Sequence, residues 1–373
     1  MRDWSNLPTE LLELFLERLV PNFVDVIRFR AVCKSWQFIS LNKPTNPPPQ
    51  LPWLMLPSHG TIPSRRRFFS PSENRVYSVP ESWGCYCSGS SHGWLIMEDS
   101  FILCSLFNPI TGVQIVLPLI KSVFGLGSPF CESHIKFSKQ NQERFIVKAV
   151  LSSSPSLGLN ADCFVMMIFG LYQRYLAYCK LGDKNWTLRP TPMDFTYEDI
   201  ICFQGKFYVV DSYGKVLVFD LRCSSVSMEF KRPESFKADK SYLVELAGDI
   251  LLIRRFRGWS FDLEKVYKTV MFKVLRQDLV KKNWVEVKTL QNHALFLGHN
   301  HSMSVLALDF PECRANCIYF TDNCFKDYGF EKAEPHDVGI FNLVDGSIEP
   351  LPGYVYDSHF IKQPPVWIMA SPW

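Results

Sequence analysis

The spacing of apolar positions along the chain changes once, near residue 44. Before it, Leu7, Leu11, Leu12, Phe15, Leu16 and Leu19 recur at steps of three and four, which places them on one wide face of a helix. Pro8 suits the first turn of that helix, and Thr9 and Glu10 suit its positive end. Pro21 ends the pattern. A second helical stretch begins near Val24, with Asp25 in its first turn and Val26, Ile27, Phe29, Val32, Cys33 and Trp36 as its apolar positions. Pro44, Pro47, Pro48, Pro49 and Pro52 then exclude helix and predict a stiff, extended connection. The chain therefore reads as a unit of two or three helices over 1–43, a proline-rich connection over 44–63 and a third region over 64–373.

The third region consists of short apolar runs that open on a turn residue and close on a polar one. Gly93-Trp94-Leu95-Ile96-Met97-Glu98-Asp99 returns as Gly205 to Asp211, as Gly248 to Arg254 and, opening on Asn316, as Asn316 to Asp322. Leu106-Phe107-Asn108-Pro109-Ile110-Thr111-Gly112 returns as Ile340 to Gly346, a strand running into an Asn/Asp-Gly turn. Val218-Phe219-Asp220-Leu221 is a partial relative. Lys184-Asn185-Trp186 and Lys282-Asn283-Trp284 stand 98 residues apart, or two units of 49; Asn108 and Asn342 read as five such units. Repeats of roughly 40 to 50 residues carrying several short strands predict an all-β propeller, here of six or seven blades. Two irregular β-sandwiches are the plainer alternative.

Composition supports this division. The chain has 373 residues, of which 47% are hydrophobic and 21% charged, so a sizeable core is available and a mostly disordered chain is excluded. Thirty Phe, 14 Tyr and 10 Trp favour pleated, half-buried surfaces. A net charge of +3 makes no case for nucleic acid or an anionic membrane as partner. Twelve Cys scattered through apolar contexts read as buried thiols in a reducing compartment. No signal-peptide pattern and no uncharged spanning run is visible, so the expected location is nucleus, cytoplasm or both.

The small helical unit has more apolar surface than its own core can hide, since Leu11, Leu12, Leu14, Phe15 and Leu16 nearly encircle the first helix. A partner surface is expected there. The run from Asn6-Leu7-Pro8 to Leu19, followed by Asp25 to Val32-Cys33-Lys34-Ser35-Trp36, resembles an F-box, whose recognisable marks are the Leu-Pro opening and the Arg-x-x-Cys-Lys-Ser-Trp close. That resemblance implies docking on a Skp-type adaptor and, through it, on a cullin. It implies adaptor contacts among Leu7, Pro8, Leu11, Leu12, Leu16, Leu19, Ile27, Val32, Cys33 and Trp36, divided between the unit's own core and the contact. Gly89-Ser90-Ser91-His92-Gly93-Trp94-Leu95, then Leu106 to Gly112 and Leu117-Pro118, resemble the start of the plant KIB-type propeller that follows an F-box. Together they imply the substrate-recognition subunit of an SCF ubiquitin ligase, non-catalytic and without cofactor, whose propeller loops hold an unidentified target protein. An F-box complex acting outside a cullin ligase, or a ligand-binding propeller, are the alternatives.

Other chemistry is weaker. Gly89-x-Ser91-x-Gly93 matches a hydrolase nucleophile motif, but that motif requires a strand-to-helix turn, and here a strand follows. His293, His299, His301, Cys313, Cys317, Cys85 and Cys87 lack paired metal-ligand spacing, so no metal site is assigned. Arg65-Arg66-Arg67 and Arg254-Arg255 with Arg257 read as solvated loop or strand-end charges, with anion binding the less common reading. No phosphate-binding glycine loop occurs.

Overall fold

The computed structural model describes residues 4–19, 23–42, 50–56, 65–80, 86–99, 103–109, 112–124, 146–155, 162–170, 173–190, 195–221, 226–233, 237–259, 267–278, 283–322, 337–354 and 365–369. Its N-terminal part is a 3-10 turn over Trp4–Asn6 followed by α1 (Thr9–Leu19), α2 (Phe23–Arg30) and α3 (Lys34–Asn42). The single helical stretch expected from Val24 to Trp36 is broken in two. Ala31 and Val32 donate to Arg28 and Phe29, three residues back, which tightens and ends α2. Leu12, Leu16, Val26 and Phe29 form the small core, with Leu7, Leu19, Trp36 and Ile39 packed at its rim. Arg30 pins α3 from below: its Nε donates to Ser40 Oγ at 2.9 Å, and Ser40 is fully buried.

The rest is a ring of six sheets. Blade 1 holds β1 (Trp53–Met55), β2 (Arg65–Ser70) and β3 (Arg75–Pro80). Blade 2 holds β4 (Tyr86–Ser91), β5 (Trp94–Asp99), β6 (Leu103–Phe107) and β7 (Gln114–Val116). Blade 3 holds β8 (Ile146–Leu151), β9 (Phe164–Phe169), β10 (Tyr175–Lys180) and β11 (Thr187–Arg189). Blade 4 holds β12 (Tyr197–Phe203), β13 (Lys206–Asp211), β14 (Val216–Phe219) and β15 (Val226–Phe230). Blade 5 holds β16 (Lys240–Leu246), β17 (Asp249–Trp259), β18 (Tyr267–Asp278) and β19 (Asn283–Val287).

Blade 6 departs from this four-stranded meander. Its β20 (His293–Leu297), β21 (Met303–Leu306), β22 (Cys317–Phe320), β23 (Gly339–Asn342) and β24 (Ile348–Glu349) lie in the order β21-β20-β22-β23-β24, with β20 parallel to β22. The ring closes in blade 1, where β25 (Val366–Ile368) pairs antiparallel with β1. Trp53–Met55, inside the stretch read as a connection, is thus a blade strand; Leu54 is fully buried between β2 and β25.

Three of the repeated sequence runs are second strands of blades, β5, β13 and β17, and the fourth, Asn316 to Asp322, carries β22 of blade 6. Ser91 pairs with Trp94, Phe203 with Lys206 and Leu246 with Asp249, leaving two-residue connections His92-Gly93, Gln204-Gly205 and Ala247-Gly248. Both residues of each have positive φ, the type I′ turn that matches the twist of paired strands. Asn108 and Asn342 begin the other repeated turn: Gly112 N–H donates to Asn108 O and Gly346 N–H to Asn342 O, both at 2.9 Å. The Asn108–Asn342 interval spans four blades, not five units, because the connections are unequal. Trp186 and Trp284 each reach the preceding blade, Nε1 donating to Pro118 O at 2.8 Å and to Lys231 O at 2.9 Å.

Burial follows the two-residue period of a strand, with both faces covered. Val165, Met167 and Phe169 of β9 pack toward blade 2, while Met166 and Ile168 pack toward blade 4. Six such clusters fill the six seams between blades. Gly89 serves the seam between blades 2 and 3: a Cβ there would stand 2.1 Å from Ala149 O. The glycine pair around Ser91 therefore answers to packing and to a hairpin turn, and a strand follows it on the β5 side.

Candidate functional site

Among the described residues, two places stand out as able to meet a partner. The first is the helical unit. On α1, Leu12 and Leu16 are fully buried and Leu19 half-buried, while Leu11, Leu14 and Phe15 are 44%, 54% and 44% exposed. Steps of three and four place the latter three on a neighbouring face of the same helix. Two apolar stripes thus run along α1, one for the core and one for water. Of the other residues implied by the F-box resemblance, Pro8 and Val32 are exposed, and Leu7, Cys33 and Trp36 are half-buried. Trp36 also donates from Nε1 to Trp4 O at 3.1 Å and packs its ring at a tilt on Phe29, centroids 4.5 Å apart, a structural use. The backbone of Ile27 lies in α2, but its side chain is outside the described residues. Leu12 and Leu16, also in the expected set, are fully buried in the unit's own core. Trp4, Leu14, Phe15 and Phe38 are exposed apolar residues absent from the expected set. The encircling pattern of α1 had signalled Leu14 and Phe15; Trp4 and Phe38 carried no periodic signal.

The second place is a cavity of 630 Å³ on the axis of the ring. All six blades line it: Met369 from blade 1, His92 from blade 2, Leu151 from blade 3, Phe203 from blade 4, Glu245 from blade 5 and His301 from blade 6. Within the ring, Lys148 of β8 forms a buried ion pair with Asp199 of β12, whose other oxygen accepts the Leu243 N–H at 2.8 Å. That arrangement ties together the first strands of blades 3, 4 and 5. Burial, with the charge of Lys148 and of His92, pushes His301 down to about 3, so its imidazole is neutral. Desolvation lowers His92 as well and raises the Cys202 thiol to about 11.

Several expected features are placed elsewhere. Arg254 and Arg255 are not solvated: they are 0% and 1% exposed. Arg255 bridges blades 5 and 6, donating to Thr269 Oγ1, Tyr242 Oη, Thr321 O and Asp337. Arg66 is also buried, and the side chain of Arg65 lies outside the described residues. Cys313 and Cys317 belong to the seam between blades 6 and 1, and Cys85 lies outside the described residues. Among the described residues, no group of three His, Cys, Asp or Glu is arranged to hold a metal, and no helix is long and apolar enough to cross a membrane.

A six-bladed ring with an axial cavity, preceded by a helical unit with a spare apolar face, defines a two-part propeller protein in which no catalytic domain is evident. Comparison with known proteins makes this particular. The family model "KIB1-4 beta-propeller" matches residues 68–342 and the "F-box domain" model matches residues 4–46. The chain belongs to the family of F-box proteins that carry a KIB1-4 β-propeller. It is 29% identical to the F-box protein SKIP23 of Arabidopsis thaliana over 99% of this chain and 96% of that one. A putative F-box/kelch-repeat protein of the same plant is 25% identical over the full length of both. Among solved structures, the β-propeller domain of Cps50 (Swd1) from Myceliophteria_thermophila overlaps 76% of this chain and 78% of its own, at 11% identity and a TM-score of 0.35.

Proposed function

We propose that the chain is the substrate receptor of an SCF-type ubiquitin ligase. The helical unit docks on a Skp-type adaptor, the adaptor joins a cullin, and the propeller holds a target protein. No bond is made or broken by the chain itself. It works by proximity: a target lysine held near a charged ubiquitin carrier meets it at high effective concentration. Nucleus and cytoplasm are the compartments proposed for it.

The observation that carries this reading is the second apolar stripe of α1, Leu11, Leu14 and Phe15, left in water within a matched F-box. An exposed apolar strip of this kind marks a docking surface. The contact therefore falls to Leu11, Leu14 and Phe15, with Pro8, Val32 and the half-buried Leu7 beside them, and not to Leu12 or Leu16. In a pull-down with a purified plant Skp-type adaptor, Leu11→Asp combined with Phe15→Asp should lower retention at least about tenfold, the loss expected when two interface anchors are removed. Both side chains are exposed, so the melting temperature should hold. A well-folded wild-type chain that fails to bind the adaptor sinks the ligase reading. Adaptor binding without co-purifying cullin would place the complex outside a cullin ligase.

A further inference from the structure

The axial cavity has a chemistry that the docking role of α1 does not use. Its volume of 630 Å³ lies within the range of ligand sites, roughly 300–1,000 Å³. Val150, Leu151, Ile201, Phe203, Met303 and Met369 give it apolar walls, two of them flexible thioethers that adapt to a guest. Against these walls stand two consecutive polar groups of the segment leading into β21. His301 Nδ1 and Ser302 Oγ are both buried and have no hydrogen-bond partner among the described residues. Ser302 is 4% exposed. Buried polar atoms of this kind are nearly always paired in a working protein.

A hydroxyl that can donate or accept, next to a neutral imidazole, complements the alternating N–H and C=O groups of a peptide backbone. Charge narrows the guest further. Among the described residues, Glu245 is the one carboxylate lining the cavity, and no lysine or arginine lines it. The Lys148 ammonium inside the ring is neutralised by Asp199. An anionic guest would meet an unmatched carboxylate; a cationic one would meet its counterion.

We propose that this cavity receives a short extended segment of the target protein, in which an apolar side chain stands next to a lysine or arginine. The apolar side chain sits between Ile201, Met303 and Met369. His301 and Ser302 take the backbone amides beside it, and Glu245 takes the cation. This deepens the reading of the propeller as the target-binding half and rests on it.

The test uses the full chain in complex with a recombinant Skp-type adaptor, panned against a synthetic library of random peptides. Enriched peptides should share a hydrophobic residue beside Lys or Arg. Their affinity by fluorescence anisotropy should fall about tenfold in Glu245→Gln, which removes the charge but keeps an acceptor for the Gly248 N–H that Glu245 Oε1 now binds at 2.8 Å. Ser304→Trp, which plugs the cavity from the half-buried face of β21, should abolish binding. Enriched peptides that are acidic or share no pattern overturn the proposal. So do peptides that bind Glu245→Gln as tightly as wild type, or no enrichment by a chain that still binds adaptor. If Ser304→Trp does not fold, Glu245→Gln decides alone. Loss of adaptor binding in the same wild-type preparation would sink the ligase reading and leave the peptide result to be judged by itself.

Discussion

Single buried charges decide much of the seam between blades 5 and 6. Arg255 is 1% exposed, and its Nη2 donates to Asp337 Oδ2 at 2.8 Å. It also lies over the rings of Phe320 and Phe272, at 4.8 and 5.7 Å. Removing one member of a buried, hydrogen-bonded pair leaves the other charged and uncompensated. Arg255→Met should therefore lower unfolding free energy by about 3–5 kcal/mol in urea titration. Arg255→Lys should recover little, because an ammonium cannot reproduce the planar fork. Recovery to wild-type stability by lysine would show that charge alone matters.

His301 gives a pH dependence of definite sign. Unfolded, it takes a proton near the ordinary histidine value, about 6.5. Folded, it does so only at about 3. The unfolded chain thus binds the extra proton, and stability is complete above about 6.5 and falls as pH drops toward 3. Between pH 7 and pH 5 the wild-type chain should lose more unfolding free energy than His301→Gln, by up to about 1.4 kcal/mol per pH unit for one proton. Equal losses in the two chains would refute this. None of these residue environments was legible beforehand. An arginine pair in a strand looks the same in sequence whether it ends in solvent or in a seam, because its partners Thr321 and Asp337 are far away along the chain.

At the scale of elements the sequence was far more informative, because turns are local chemistry. The glycines at 93, 205 and 248 each follow a residue with positive φ and mark the same hairpin position in three blades. Asn316 adopts that conformation too, and its Oδ1 accepts the Leu290 N–H at 2.7 Å. Blade 6 was hidden for the opposite reason. The parallel pairing of β20 with β22 joins strands across an intervening hairpin arm, and nothing local encodes such a neighbour. The split of α1 into a core stripe and a solvent stripe was half visible: periodicity named the apolar residues, but only the position of α2 and α3 decides which are covered. Turn chemistry also predicts a gain. Ala247 sits at φ 50, a region that costs a side-chain-bearing residue about 1–2 kcal/mol and that asparagine tolerates better. Ala247→Asn, giving the favoured Asn-Gly pair, should raise unfolding free energy by about 0.5–1 kcal/mol. An unchanged or lower midpoint would mean that the strands, and not the turn, set the stability of this hairpin.

The whole molecule depends on closing the ring. Each blade shares its apolar faces with two neighbours, so an opened seam exposes two sheets at once. The closing strand β25 is three residues long, and its middle residue Trp367 is fully buried. Trp367 meets Phe296 of blade 6 edge-on, ring centroids 5.0 Å apart, and its partner across the strand pair is Leu54 of blade 1. It therefore holds the first and last blades together from inside one cluster. Trp367→Ala should cost about 3–5 kcal/mol, the usual penalty for emptying a core aromatic site. The loss should appear in probes placed in any blade, because the seams are linked around the circle. Val344→Ala, at a side chain 72% exposed, should leave the same transition unmoved. A Trp367→Ala chain that loosens only blades 1 and 6 while blades 3 and 4 unfold at the wild-type midpoint would show that the ring behaves as a row of independent sheets. Adaptor pull-down of that variant then separates the two halves. Among the described residues, the core of the helical unit is Leu12, Leu16, Val26 and Phe29 with no ring residue in it, so docking should survive a damaged propeller.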